Sequence, residues 1–172
     1  MKGNWDQCFQ MVLKNEGGFS NNPRDPGGMT NLGVTKRAWE NWVGHTVNED
    51  FMRNLTPEKV NPFYKAQYWD RIKGDQLPAG IDYALYDFAV NSGVMKASKT
   101  AQEIAGVPAD GVIGQKSIAA IIACNPHEVA DAICDMRLEF LKRLSTFDTF
   151  GKGWTDRVGR VKAKALSMAK EA

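Results

Sequence analysis

Two carboxylates flank a glycine-rich segment: Glu16 and Asp25 lie nine positions apart, with Thr30 five further on. Two carboxyls facing each other across a cleft are what acetal hydrolysis requires. One, protonated, gives its proton to the leaving oxygen; the other activates water or stabilises the oxocarbenium-like transition state. The same residues have a plainer reading, with Glu16 an exposed helix-end residue and Asp25 a turn former before Pro26. Spacing alone does not choose between them.

Other chemistries find less support. Catalytic zinc needs several His, Cys or carboxylate ligands at close spacing; His45 and His127 are isolated, and no HExxH occurs. There is no GxSxG nucleophile elbow, and neither histidine belongs to a recognisable nucleophile system. The phosphate-cradling patterns GxGxxG and GxxxxGK[ST] are also missing. Cys8, Cys124 and Cys134 are odd in number and lack CxxC spacing, so they read as reduced, mostly buried residues rather than a disulfide framework.

The elements that must position Glu16 follow from periodicity. Between Lys2 and Glu16, Trp5, Phe9, Val12 and Leu13 recur at helical spacing, and Gly17-Gly18 stop the helix. Glu16 therefore sits at a helix C-terminus, where the macrodipole is negative and a carboxylate is out of place unless it is used as an acid. The next eighteen residues, GGFSNNPRDPGGMTNLGV, hold five Gly, two Pro and three Asn. Such punctuation predicts a loop or short irregular hairpin, and long loops in compact domains are usually functional.

Beyond it the pattern is helical. Thr35 caps a helix carrying Trp39, and Thr56-Pro57 open one running to about Lys73-Gly74. Others span roughly Ala79–Ser92, the stretch before Gly106, and a long run launched by Asn125-Pro126-His127-Glu128 through Leu141; a last helix follows Trp154. The expected class is mainly α, with at most a small β-hairpin.

Composition fits one soluble globular domain. Of 172 residues, 43% are apolar, and no apolar run approaches the ~20 residues of a membrane span. The 22 basic and 20 acidic residues leave a net charge of +2, which argues against a nucleic-acid partner. From Gly151 onward six basic residues oppose two acidic ones; this reads as a solvated helix face, with contact to an acidic polymer as the alternative. The first residues carry no apolar signal-peptide core, so synthesis in the cytoplasm without a signal peptide is expected.

The run Glu16-Gly17-Gly18-Phe19-Ser20-Asn21, followed by Asp25-Pro26-Gly27-Gly28-Met29-Thr30-Asn31-Leu32-Gly33-Val34-Thr35, resembles the N-acetylmuramidases of glycoside hydrolase family 108, a lysozyme-like group of phage and bacterial cell-wall enzymes. The likeness continues through DYALYDFAVNSG (82–93), VPADGVIG (107–114) and FGKGWTDRV (150–158). It implies one lysozyme-like domain over 1–172, with the catalytic motif in 1–80 and a peptidoglycan-binding-like helical portion in 81–172. It further implies cleavage of the β-1,4 bond between N-acetylmuramic acid and N-acetylglucosamine, with Glu16 as general acid.

No cofactor or metal is implied; the partner is the glycan strand, and a monomer is expected. Release onto the wall by a holin-type pore or another route would follow. The family often has tyrosine where this chain has Phe19. Similarity to inverting phage lysozymes extends the catalytic set to Asp25 and Thr30, and inversion requires the two carboxyls to stand about 6.5 to 9.5 Å apart. A lytic transglycosylase and a non-catalytic peptidoglycan-binding or secretion-accessory protein are the alternatives.

Substrate-binding residues are expected at Asn31, inside the motif, and at Tyr83, Asp87 and Asn91, spaced four apart on one side of a helix whose other side carries Ile81, Leu85 and Phe88. That polar side either faces solvent or lines the cleft. Tyr64, Tyr68 and Trp69 read as core aromatics, with sugar stacking as the second reading. The VPADGVIG turn reads as structural, with contact to the wall as the second reading, since a similar Asp-Gly turn occurs in peptidoglycan-binding modules.

Overall fold

The computed structural model describes residues 3–23 and 28–171. The chain forms two compact units, one of Asp6–Gln67 and one that joins the N-terminal residues to Trp5 with everything from Tyr68 onward.

In the smaller unit, α1 (Trp5–Asn15) buries Phe9 and Val12 of the expected stripe together with Cys8, while Leu13 is half-buried. A two-stranded antiparallel hairpin follows, β1 (Thr30–Asn31) and β2 (Val34–Thr35), in register Thr30 to Thr35 and Asn31 to Val34. Both residues of its tight turn, Leu32 and Gly33, have positive φ, as the favoured hairpin turns require. Thr35 then caps α2 (Lys36–Val43), its hydroxyl accepting from the Ala38 N–H at 3.0 Å.

Asn48 caps a short helix, α3 (Glu49–Arg53), which the periodicity did not reveal; its signal was local, an N-cap followed by two acidic residues in the first turn. Thr56 and Pro57 open α4 (Pro57–Tyr64) as expected, but it ends earlier than Gly74. Pro62 supplies no N–H to the helical ladder, which then widens into a π turn over Lys65–Trp69; Lys73, at φ 58°, breaks the chain into a 3₁₀ turn at Gly74–Gln76.

The larger unit is built from helices: α5 (Ile81–Ser92), α6 (Val94–Ala105), α7 (Gln115–Ile122), α8 (Pro126–Lys142) and α9 (Phe147–Glu171). α5 is its axis. Residues 81–89 are all buried, with α6, α8 and α9 packed around them. Trp5, Trp69 and Tyr86 form an aromatic triangle with centroids 5.4–5.5 Å apart, and the Trp69 ring lies on Gly74, where no side chain would fit.

α9 begins seven residues before Trp154. Gly151 and Gly153 hid this start, because glycine inside a helix costs about 1 kcal/mol against alanine; here the outer end of the Phe147 ring packs on Gly151. No helix among the described residues is long and apolar enough to cross a membrane.

Candidate active site

Glu16 directly follows α1, its N–H closing a turn onto the Leu13 carbonyl at 3.1 Å. It is half-buried, and its carboxylate lies against the hairpin turn: a Cβ on Gly33 would stand 2.8 Å from Glu16 Oε2 and 2.5 Å from the Tyr64 hydroxyl. Gly33 is thus required twice, by its φ of 78° and by the two side chains that occupy its Cβ position. The Tyr64 hydroxyl donates to the Leu32 carbonyl at 2.6 Å. That bond helps hold Leu32 at φ 53°, a conformation a leucine rarely adopts. Buried Tyr64 consequently braces the hairpin, and its placement excludes the sugar-stacking reading, as it does for fully buried Trp69.

The glycine-rich segment is closed at its base. Ser20 and Thr30 exchange backbone hydrogen bonds, both 2.8 Å, so Thr30 is paired on both sides, with Ser20 and with Thr35. α3 holds the two limbs. On the outgoing limb, Asn21 Nδ2 donates to Glu49 Oε1 at 3.2 Å, and the Arg53 guanidinium sits 4.1 Å from the centroid of Phe19. On the returning limb, Asn31 Nδ2 donates to the carbonyls of Met52 and Arg53, at 2.8 and 3.3 Å. Asp25 lies outside the described residues.

Asn31 is 6% exposed, so the expectation that it binds sugar gives way to a structural role: its amide satisfies two helix-terminal carbonyls. Tyr83 and Asp87 are corrected likewise. Their helix side faces neither solvent nor an open cleft, since α5 is wrapped on every side. Asp87 is wholly buried and takes Arg137 Nη1 at 2.6 Å on one oxygen and Arg157 Nη2 at 3.1 Å on the other. Asn91, half-buried, accepts from Arg137 Nη2 at 3.1 Å and so belongs to the same network. The arginines stand 50 and 70 residues from Asp87, beyond the reach of any local pattern.

Two further groups are structural. Gln102 is buried and ties down the VPADGVIG turn, donating to Asp110, Val112 and Ser117 while accepting from Gly111 N–H. The Val112 N–H and the Gln102 amide hold the Asp110 carboxyl below its ordinary value. Burial pushes the Cys134 thiol up to about 12, which keeps it protonated and inert.

Within the smaller unit a groove of about 700 Å³ runs between α1 and α4, lined by Gln10, Leu13 and Lys14 on one wall, Glu58 and Asn61 on the other, and Leu32. Glu16 is not among its lining residues. Leu13 and Leu32 belong to this groove and neighbour, in α1 and in the hairpin turn, the two residues whose contact defines the Glu16 site.

The architecture, a helical body with one hairpin after the first helix and a carboxylate where that helix ends, is that of a lysozyme-like glycoside hydrolase. Comparison with known proteins agrees. The family model described as Glycosyl hydrolase 108 matches residues 9–93, and that of a Predicted Peptidoglycan domain matches residues 96–159. A solved structure titled "Structure of Brucella abortus SagA" is similar at 43% identity, covering 98% of this chain and 97% of that one with a TM-score of 0.89. No curated protein matches. The chain belongs to the glycosyl hydrolase 108 family and is a peptidoglycan hydrolase.

Proposed function

We propose that this chain is an N-acetylmuramidase, cleaving the β-1,4 bond between N-acetylmuramic acid and N-acetylglucosamine with Glu16 as the general acid. The observation that carries the reading is the fixed position of Glu16. Its carboxylate ends α1, is half-buried, and rests on a hairpin turn shaped to receive it. A proton donor held this way protonates the leaving oxygen without first paying to be oriented.

Asp25 is the proposed second carboxylate. What supports it is its place in the sequence, nine residues after Glu16 in the glycine-rich segment, and the need of this chemistry for a second carboxylate to activate water. Thr30, at the closing pair of that segment, is the proposed partner in placing the water. Action at the cell wall follows from this substrate.

The test is digestion of purified peptidoglycan by the native chain and by Glu16→Gln, with the muropeptides reduced and weighed. Reducible N-acetylmuramic ends from the native chain alone support the reading. Anhydro ends would make it a lytic transglycosylase, and no cleavage by either folded protein would leave a binding or accessory role.

A further inference from the structure

The first turns of α9 carry three aromatic rings in contact. Phe150 and Trp154 lie 5.6 Å apart with planes tilted by 33°, and Trp154 and Phe147 lie 6.3 Å apart at 43°. Phe150 is 53% exposed, a high value for a ring of that size, and the other two are half-buried. Helical spacing puts Phe147, Phe150 and Trp154 on one face, with Gly153 flanking Phe150.

The glycines on this stretch are not alike. Gly151 is buried, and the Phe147 ring fills the place of its side chain. Gly153 is exposed, with nothing within 4 Å of where a Cβ would stand. Nothing in the fold needs a glycine there, yet inside a helix it is unfavourable against alanine. The bare backbone beside Phe150 and Trp154 leaves room for a ligand to approach. Beside Phe147 and Gly151, a depression of about 390 Å³ is lined by Asp148, Lys152, Thr155 and Asp156, which supply both donors and acceptors.

We propose that this aromatic shelf is a glycan-binding subsite, taking the aminosugar strand of peptidoglycan by stacking sugar faces on Phe150 and Trp154, with the strand passing the bare backbone of Gly153. The occupant follows from two observations. The Phe150 ring is open beside a position with no side chain at Gly153, and the shelf falls inside residues 96–159, matched by the peptidoglycan-domain model. The proposal rests on peptidoglycan being the substrate, and assigns to it residues distinct from Glu16.

The experiment is co-sedimentation of the full-length chain with purified peptidoglycan, and with glycan strands stripped of their peptides, all in the Glu16→Gln background. Phe150→Ala is expected to weaken binding to both by three- to tenfold, roughly the worth of one aromatic stack, while Phe150→Trp retains it. Gly153→Ala is expected to raise Tm, because it replaces an open helix glycine, and still to weaken binding. Gly159→Ala, at another open glycine of α9, serves as control and should raise Tm with binding unchanged. Higher Tm with lower affinity at Gly153 alone is a result that a structural role would not give.

Undiminished binding by both Phe150→Ala and Gly153→Ala overturns the subsite. Weakened binding only where peptides are present overturns the glycan assignment. If the parent chain neither sediments with the wall nor, with Glu16 intact, cleaves it, the muramidase reading fails instead.

Discussion

The Glu16 carboxylate occupies the space that a side chain on Gly33 would need, and no methyl group fits there. A residue at the end of a helix and a residue at the tip of a hairpin thereby fix each other: the turn cannot rotate without displacing the carboxyl, and the carboxyl cannot drop without meeting the turn. Tyr64 locks the arrangement from behind through the Leu32 carbonyl.

Gly33→Ala is therefore expected to do two things at once. Positive φ and the collision with Tyr64 and Glu16 should destabilise the fold by about 1–3 kcal/mol. The displaced carboxyl should cost on the order of a hundredfold in hydrolysis of peptidoglycan, as misplacing a catalytic group by an ångström can do. Thermal melts and initial rates below the Tm of the variant separate the two effects. A variant that melts lower but hydrolyses at the native rate would show that Gly33 serves the hairpin alone.

How much of this was legible beforehand depended on the range of the interaction. Helix caps at Thr35, Thr56 and Asn125, and the stop at Gly17-Gly18, involve neighbours three or four residues apart and were read correctly. The placement of Glu16 at the end of α1 followed from the same local rules. Contacts such as Tyr64 with Leu32, or Asp87 with Arg137, join residues 32 and 50 positions apart. The four-residue spacing of Tyr83, Asp87 and Asn91 looked like a polar surface because polarity was visible and the buried arginines that neutralise it were not.

That burial makes Asp87 a stability determinant. Asp87→Asn would leave the guanidiniums of Arg137 and Arg157 facing each other with side chains only 1% and 11% exposed. Breaking a buried pair from one side costs about 3–5 kcal/mol, so a large fall in the urea midpoint is expected. Asn91→Ala removes one bond to Arg137 and should cost about 1 kcal/mol, with KM unchanged. A raised KM for Asn91→Ala at unaltered stability would return that residue to the substrate.

Asp82 gives a pH dependence of definite sign. Burial raises its pKa above the ordinary 3.8, although hydrogen bonds from Asn4, the Tyr83 N–H and the Gly80 N–H pull the other way. The folded chain thus holds this proton at a pH where the unfolded chain has released it. The group's contribution to stability grows as pH falls through the folded pKa toward 3.8 and is lost on the way up. At neutral pH the buried charge is a liability, so Asp82→Asn is expected to melt as high as the native chain or higher at pH 7. Its relative advantage should shrink as pH approaches 4. An advantage that grows on acidification would reverse the assignment.

The Arg53 guanidinium stacks on the Phe19 ring, a contact that uses the ring and no hydroxyl. Arg53 also pairs with Glu49 at 3.3 Å, and Glu49 accepts from Asn21, so one exposed cluster ties α3 to the limb leaving Glu16. Surface contacts of this kind contribute only about 0.5–1 kcal/mol each to stability. Their effect should show in turnover rather than in folding, because they set the entry of the segment that contains Asp25. Phe19→Tyr is expected to keep native turnover of peptidoglycan, and Phe19→Leu to lower kcat several-fold with Tm shifted by only a few degrees. Arg53→Ala should match Phe19→Leu, and the double variant should lose little more than either alone, since both remove the same stack. Fully additive losses in kcat would show that Phe19 and Arg53 act on the segment independently.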